Sequence, residues 1–157
     1  MPYSEPFLRE AIHLSRDRME AGEGGPFGAV IVKDGKVIGR GWNRVTSAND
    51  PTAHAEIEAI REACSHLGSF SLAGCDIYAS CEPCPMCLSA IYWARLDTLY
   101  FAASRTDAAE AGFDDALLYQ ELIKPVFGRN LASEQHLKDE AKRILDAWKN
   151  KADKIAY

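Results

Sequence analysis

His54, Cys84 and Cys87 are of the residue types that bind zinc, and three protein ligands is the number a catalytic zinc site uses when it leaves a fourth position for water. They lie in two short strings, His54-Ala55-Glu56 and Pro83-Cys84-Pro85-Met86-Cys87. Cysteines at i and i+3 share one face of a helix, and a helix N-terminus carries partial positive charge that favours thiolates. A zinc ion so held can keep hydroxide near neutral pH. Glu56 stands beside the histidine and can move protons. The reaction that suits such a centre is hydrolytic deamination. Hydroxide adds to an amidine-like ring carbon, Glu56 carries a proton from the water to the neighbouring ring nitrogen, and ammonia departs.

Each string alone has a plainer reading. A histidine at a helix start is commonly a cap, and Cys-x-x-Cys also serves as a structural zinc knuckle or a redox pair. A non-catalytic zinc module would close its site with a fourth ligand, for which Cys81 is the candidate. A thiol redox protein would oxidise Cys84 and Cys87 reversibly without metal. The run Cys81-x-x-Cys84-x-x-Cys87 also begins an iron–sulfur pattern, but that pattern needs cysteine where this chain has Ile91. Cys64 and Cys75 fall on apolar faces and read as core. Gly22, Gly24 and Gly28 precede a strand rather than join strand to helix, which excludes a phosphate loop. Phe27, Trp42 and Trp93 lie close to the motifs and are either core residues or stacking surfaces for a ring.

The elements that must position these residues alternate between helix and strand. Apolar residues Phe7, Leu8, Ala11, Ile12 and Met19 recur at helical spacing after Ser4, a candidate N-cap, and predict a helix over 5–21. The apolar run from Phe27 to Val32, the turn Asp34-Gly35 and the residues that follow predict an antiparallel hairpin, with strands near 27–33 and 36–43. Asp50-Pro51-Thr52 then opens a helix with Ile57, Ile60, Cys64 and Leu67 on its buried face and His54 and Glu56 in its first turn. A strand over 75–80 leads into the cysteine string, where a third helix starts near Cys84. A strand over 98–103, a short helix over 115–119 and an amphipathic helix over 138–150 complete the reading. Residues 124–135 carry Pro125 and Gly128 and show no strand pattern. With no repeat and no linker, one layered α/β domain of 157 residues is the simplest architecture.

Composition narrows the function classes. The net charge is −5, with a pI of about 5.4, whereas a domain that grips a polynucleotide normally carries a basic patch. No apolar stretch is long enough to span a bilayer, and the N-terminus lacks the pattern of a secretory signal, so cytoplasm is the expected location. Five cysteines, three of them within seven residues, suit metal ligation in a reducing compartment better than disulfides.

The pairing of His-x-Glu with Pro-Cys-x-x-Cys is the pattern of zinc-dependent base deaminases, in which the glutamate is not a ligand. Further strings extend the likeness: Gly24-Gly25-Pro26-Phe27-Gly28-Ala29, Trp42-Asn43, Asn49 to Glu56, Ser80 to Cys87 and Ile91 to Arg95. Together they resemble the cytidine deaminase-like superfamily, specifically its short bacterial guanine deaminases, over nearly the whole chain. Tyr92-Trp93-Ala94-Arg95, the stretch Thr106 to Asp115 and the C-terminus ending Asp153-Lys154-Ile155-Ala156-Tyr157 sharpen the likeness to guanine deaminase. The tRNA adenosine deaminases share Gly41 to Arg44 and Asp50 to Glu56, but usually have a histidine near Tyr92-Trp93, lack Phe113-Asp114-Asp115 and tend to be basic. The resemblance implies a three-layer α/β/α fold around a mixed five-stranded sheet. It also implies one zinc per chain on His54, Cys84 and Cys87, with Glu56 as proton shuttle. Asn43 and the backbone of Ala55 would bind the purine, Phe27 and Trp93 would line its pocket, and Asp115 would select guanine. A C-terminal segment over 138–157, exchanged within a homodimer, would bring the terminal Tyr157 over the site.

Overall fold

The computed structural model describes residues 2–157, which divide into two compact units, residues 2–115 and Ala116–Tyr157. The first unit is built on β1 (Gly28–Lys33), β2 (Lys36–Trp42), β3 (Asp76–Cys81) and β4 (Thr98–Ala103), in sheet order β2-β1-β3-β4. β1 pairs antiparallel with β2 and with β3, and β3 pairs parallel with β4. The sheet is mixed, as the resemblance implied, but has four strands among the described residues rather than five. Residues 124–135 supply no fifth strand: they include only a short 3₁₀ turn, Val126–Gly128, which follows Pro125. Proline withholds a ladder donor and the segment has no alternating run of β-branched residues to replace it.

The hairpin between β1 and β2 turns as its sequence predicts. Asp34 and Gly35 both have positive φ, 48° and 73°, the backbone that a two-residue turn requires to match the twist of its strands. β1 is buried on both faces, so its alternate residues feed two cores. Val30 and Val32 join Tyr78 beneath α1 (Glu5–Glu20), which contributes Phe7, Leu8 and Leu14. Ser4 does precede that helix, but its side chain makes no capping bond, and its backbone N–H donates to the Tyr78 hydroxyl instead.

Ala29 and Ile31 point to the opposite face, where they meet α3 (Ala55–Leu67) and Ile91 of α4 (Pro85–Trp93). A four-residue helix, α2 (Val45–Ala48), comes between β2 and α3. The inner face of α3 is Ala55, Glu56, Ala59 and Ala63, whereas Ile60, Cys64 and Leu67 pack only partly buried beside the core. The expected bulky face is displaced because β2 presents glycines there. A Cβ on Gly39 would stand 2.5 Å from the Ala59 carbonyl oxygen, and one on Gly41 would stand 1.9 Å from that of Ala55. Helix and strand backbones therefore touch, and only methyl side chains fit between them.

α4 is the crossover between the parallel strands β3 and β4, and α5 (Arg105–Glu110) follows β4. Ser104 and Asp107 cap α5 reciprocally, side chain to backbone in both directions. The second unit holds α6 (Ala116–Leu122) and α7 (Lys138–Asn150), the latter matching the expected 138–150. No described helix is long and apolar enough to cross a membrane.

Candidate metal centre and active site

Two helix N-termini supply the side chains of the candidate metal centre. His54 is the N-cap of α3 and Cys84 the N-cap of α4, both with extended backbone and neither with a side-chain capping bond. Pro85 opens α4, where a missing N–H costs nothing, and Cys87 follows within the first turn. His54 Nδ1 lies 3.6 Å from Cys84 Sγ and 3.5 Å from Cys87 Sγ. All three ligand atoms lie within 4.8 Å of one another. Tetrahedral zinc with ordinary Zn–N and Zn–S bonds separates such atoms by about 3.5 Å, so the trio has the edge length of a zinc site.

Cys81 does not join it. Its thiol, pushed up to about 11 by burial, points to the Ser104 carbonyl at 3.7 Å. Among the described residues the group is His54, Cys84 and Cys87 alone, a donor set with a tetrahedral position to spare. This favours an open site over the closed four-ligand module. All five cysteines are unpaired.

The electrostatics suit a cation. The Cys87 thiol donates to the Cys84 sulfur and, with help from His54, holds the Cys84 thiol down at about 4. Cys87 is correspondingly raised, because its proton is shared with Cys84 and its surroundings are apolar. His54 is raised chiefly by its hydrogen bond to Cys84, against the effect of its own burial. Glu56, in the first turn of α3, is buried, and burial pushes its carboxyl up; it also lies within hydrogen-bond reach of Cys87. A carboxyl raised toward neutrality is suited to both taking and giving a proton.

Asn43 sits at the end of β2 with its side chain buried. Its Oδ1 accepts from the backbone N–H of Gly25 and of Val45, each at 3.2 Å, while the Asn43 backbone N–H donates to the Phe27 carbonyl. Two fixed donors decide which end of the amide is oxygen. The NH₂ group is the end left to address a substrate. Gly24 passes so close that a Cβ there would lie 2.6 Å from Asn43 Oδ1. Trp42, in contrast, is structural: the Arg18 guanidinium lies 4.2 Å from its ring centroid, and its indole N–H donates to Glu23.

Phe27 meets Phe113 edge to face, with ring centroids 4.9 Å apart. Asp115 lies just beyond Phe113 and ends the first unit. Its carboxyl is raised by burial and lowered by Arg105, whose Nε is 3.8 Å from Asp115 Oδ1. Ala55, 1% exposed, places its backbone between the ligand His54 and Glu56. Trp93 ends α4, well beyond the cysteines, and is 64% exposed. Tyr157 belongs to the second unit and is 72% exposed. The structure thus gathers His54, Cys84, Cys87 and Glu56 directly, and leaves Trp93 and Tyr157 on open surface of the single chain.

Sequence reading missed Phe113 as a partner of Phe27, and Arg105 as a partner of Asp115. Ser104-x-x-Asp107 was a legible signal for α5, but nothing in the spacing of Arg105 and Asp115 reveals that they meet.

With this geometry in hand, likeness to known proteins is informative. Residues 1–103 match the family model of the cytidine and deoxycytidylate deaminase zinc-binding region. The chain belongs to that family. It is 54% identical to the guanine deaminase of Bacillus subtilis, over 98% of both chains. The X-ray structure of that organism's guanine deaminase superposes with a TM-score of 0.95 at 53% identity, covering 99% of each chain. Similarity to the tRNA-specific adenosine deaminase of Aquifex aeolicus is lower, 35% over 92% of both. A group of three donors with a buried glutamate beside it fits the zinc-binding region of that family.

Proposed function

We propose that the chain is a hydrolytic guanine deaminase, which converts guanine and water to xanthine and ammonia and so serves purine breakdown or salvage. The observation that carries this reading is the full-length likeness to a guanine deaminase, together with a three-ligand cradle that has Glu56 buried at its side. One zinc ion per chain, held by His54, Cys84 and Cys87, would activate the attacking water at neutral pH.

The protein's own groups do the rest. Glu56 takes a proton from the water as its oxygen adds to C2 and delivers it to N3, the neighbouring ring nitrogen. It then helps the 2-amino group depart as neutral ammonia. The Asn43 NH₂ donates to an acceptor on the base, such as the 6-oxygen, since its own oxygen is already committed to Gly25 and Val45. Ala55 contributes backbone, and Phe27 with Trp93 bounds the ring. Asp115 accepts from N–H groups that guanine presents and adenine lacks.

The second unit supports a homodimer. On α7, Ile144 and Leu145 are 69% and 68% exposed, and Trp148 is also exposed. Apolar side chains at i, i+1 and i+4 left in water mark a surface that another chain covers. A second copy that receives residues 138–157 would bury this face and put its neighbour's Tyr157 over the base. Free thiols throughout suit a reducing, cytoplasmic compartment.

An ammonia-release screen of the zinc-loaded protein over guanine, adenine, cytosine, their nucleosides and a tRNA stem-loop tests the reading. Release from guanine alone is expected. Release from adenosine in the stem-loop, without release from guanine, would replace guanine deaminase with a tRNA-specific adenosine deaminase.

A further inference from the structure

We propose that Arg105 is a positioning residue for the Asp115 carboxylate, and that Glu82 anchors Arg105 to the segment between β3 and α4 that leads into Cys84. The proposal rests on the guanine deaminase reading for what Asp115 does, but its geometry stands apart from that reading. Arg105 Nε is 3.8 Å from Asp115 Oδ1, with 39% and 18% of the respective side chains exposed. Asp115 is thus the more enclosed partner, at the end of a stretch, Ala111–Asp115, that has no helix or strand to fix it. Among the described residues the Arg105 guanidinium is the cation paired with that carboxylate, and it approaches from a helix start.

That element is well anchored. Arg105 is the first residue of α5, which is closed by the Ser104–Asp107 capping box. The Arg105 backbone N–H donates to Glu82 Oε2 at 2.9 Å. Glu82 lies between Cys81 and Pro83, and its own N–H donates to the Ala103 carbonyl at 2.8 Å, continuing the pairing of β3 with β4. One carboxylate therefore ties the start of α5 to the segment that delivers Cys84. The connection runs from Cys84 through Glu82 and Arg105 to Asp115 over short, defined contacts.

Physically, this solves a registration problem. The group that binds the base and the metal that activates water must hold a fixed separation, because catalysis is sensitive to displacements of about 1 Å. Asp115 sits on irregular backbone, two residues past Phe113, whose N–H donates to the Ala108 carbonyl at 2.9 Å; that bond fixes the backbone but not the Asp115 side chain. Arg105 supplies a constraint on the side chain, and its charge favours the ionised, accepting form of a carboxylate that burial pushes the other way. Because the nearest approach, 3.8 Å, is that of an ion pair and too long for a hydrogen bond, positive charge matters more than planar shape. Lysine should therefore substitute in part.

The test uses zinc-loaded, full-length protein with guanine. It compares Arg105→Gln, Arg105→Lys, Asp115→Asn and the double variant Arg105→Gln/Asp115→Asn. For Arg105→Gln, kcat/KM should fall by about tenfold or more, with Arg105→Lys recovering most of the loss. The double variant should be no worse than Asp115→Asn, because Arg105 acts through that carboxylate. Unchanged kcat/KM in Arg105→Gln, or losses that simply add in the double variant, would overturn the proposal. If the parent protein releases no ammonia from guanine, the guanine reading fails, and crystal structures of parent and Arg105→Gln decide the remainder. A carboxylate displaced or disordered in the variant supports the proposal; one that keeps its place overturns it.

Discussion

His54 and Cys84 hold the same position, the N-cap, on two different helices, and neither side chain is spent on capping its own helix. Each is instead turned toward the other, at 3.6 Å. Two positive helix ends thus face one small volume, and the Cys84 thiolate there offsets the field that the helices generate. The candidate metal centre and the starts of both helices are built from the same residues.

Removing the metal should unmask this arrangement. In chelator-treated protein the Cys84 thiol, held down at about 4, remains a thiolate well below the pH at which ordinary cysteines react. Alkylation at mildly acidic pH, followed by mass spectrometry, should label Cys84 first, and added zinc should suppress the labelling. Uniform reactivity of all the cysteines, or labelling that zinc leaves unchanged, would contradict the assignment of Cys84 as a ligand.

Glu56→Gln should leave the ligand trio intact and stop proton transfer. Zinc content by atomic absorption should match the parent, with kcat lower by about 10²–10⁴-fold, the usual contribution of a positioned acid–base group. Retained turnover would exclude the shuttle role.

Asn43→Asp separates two functions of one side chain. The carboxylate can still accept from Gly25 and Val45, so the melting temperature should change little, but it has no N–H to offer a base. A loss of about 100-fold or more in kcat/KM is expected, because a site that hydrogen-bonds its substrate suffers when the partner is removed. A fall in melting temperature with normal kinetics would instead make Asn43 purely structural.

Asp115→Asn should be more stable than the parent at neutral pH. Burial raises the Asp115 carboxyl above its usual value of 3.8, so the folded state carries its charge at a cost whenever pH exceeds the raised value. That cost vanishes below the unfolded-state value. The stability advantage of the variant, read from melting temperatures across pH, should therefore shrink as pH falls toward 3.8. Guanine turnover should fall at the same time; a variant less stable at neutral pH would reverse the sign.

Deleting Tyr157 tests the tail. If the terminal residue covers the base of a neighbouring chain, kcat/KM should drop by about tenfold or more while the oligomer persists on sizing chromatography. An unaffected rate would leave the tail without a role in the site.

The sequence made the chemistry legible because the ligands are few, close in pairs and chemically distinctive. His54, Cys84 and Cys87 come together in the fold, with Glu56 near Cys87, and α1, β1, β2, β4 and α7 fall within a residue of their expected spans. What stayed hidden depends on proximity between distant segments. The Phe27–Phe113 and Arg105–Asp115 pairs involve residues of ordinary type whose separation along the chain carries no periodic signal. The inner face of α3 was hidden differently. Hydrophobicity favoured Ile57 and Ile60, but the glycines of β2 made size the deciding property, and alanines took the contact. The fifth strand came from likeness alone, and Pro125 and Gly128 had already argued against it.

The seam between β2 and α3 has one further consequence. Gly39 and Gly41 meet the backbone around Ala55 and Ala59, and there is no long side chain between them to swing or repack. The start of α3, with His54 and Glu56 on it, therefore has no soft mode by which to tilt toward an arriving ion. The cradle is shaped before the metal reaches it. Loading is then a docking event rather than a folding event, and its rate should follow access to the pocket rather than rearrangement of the protein.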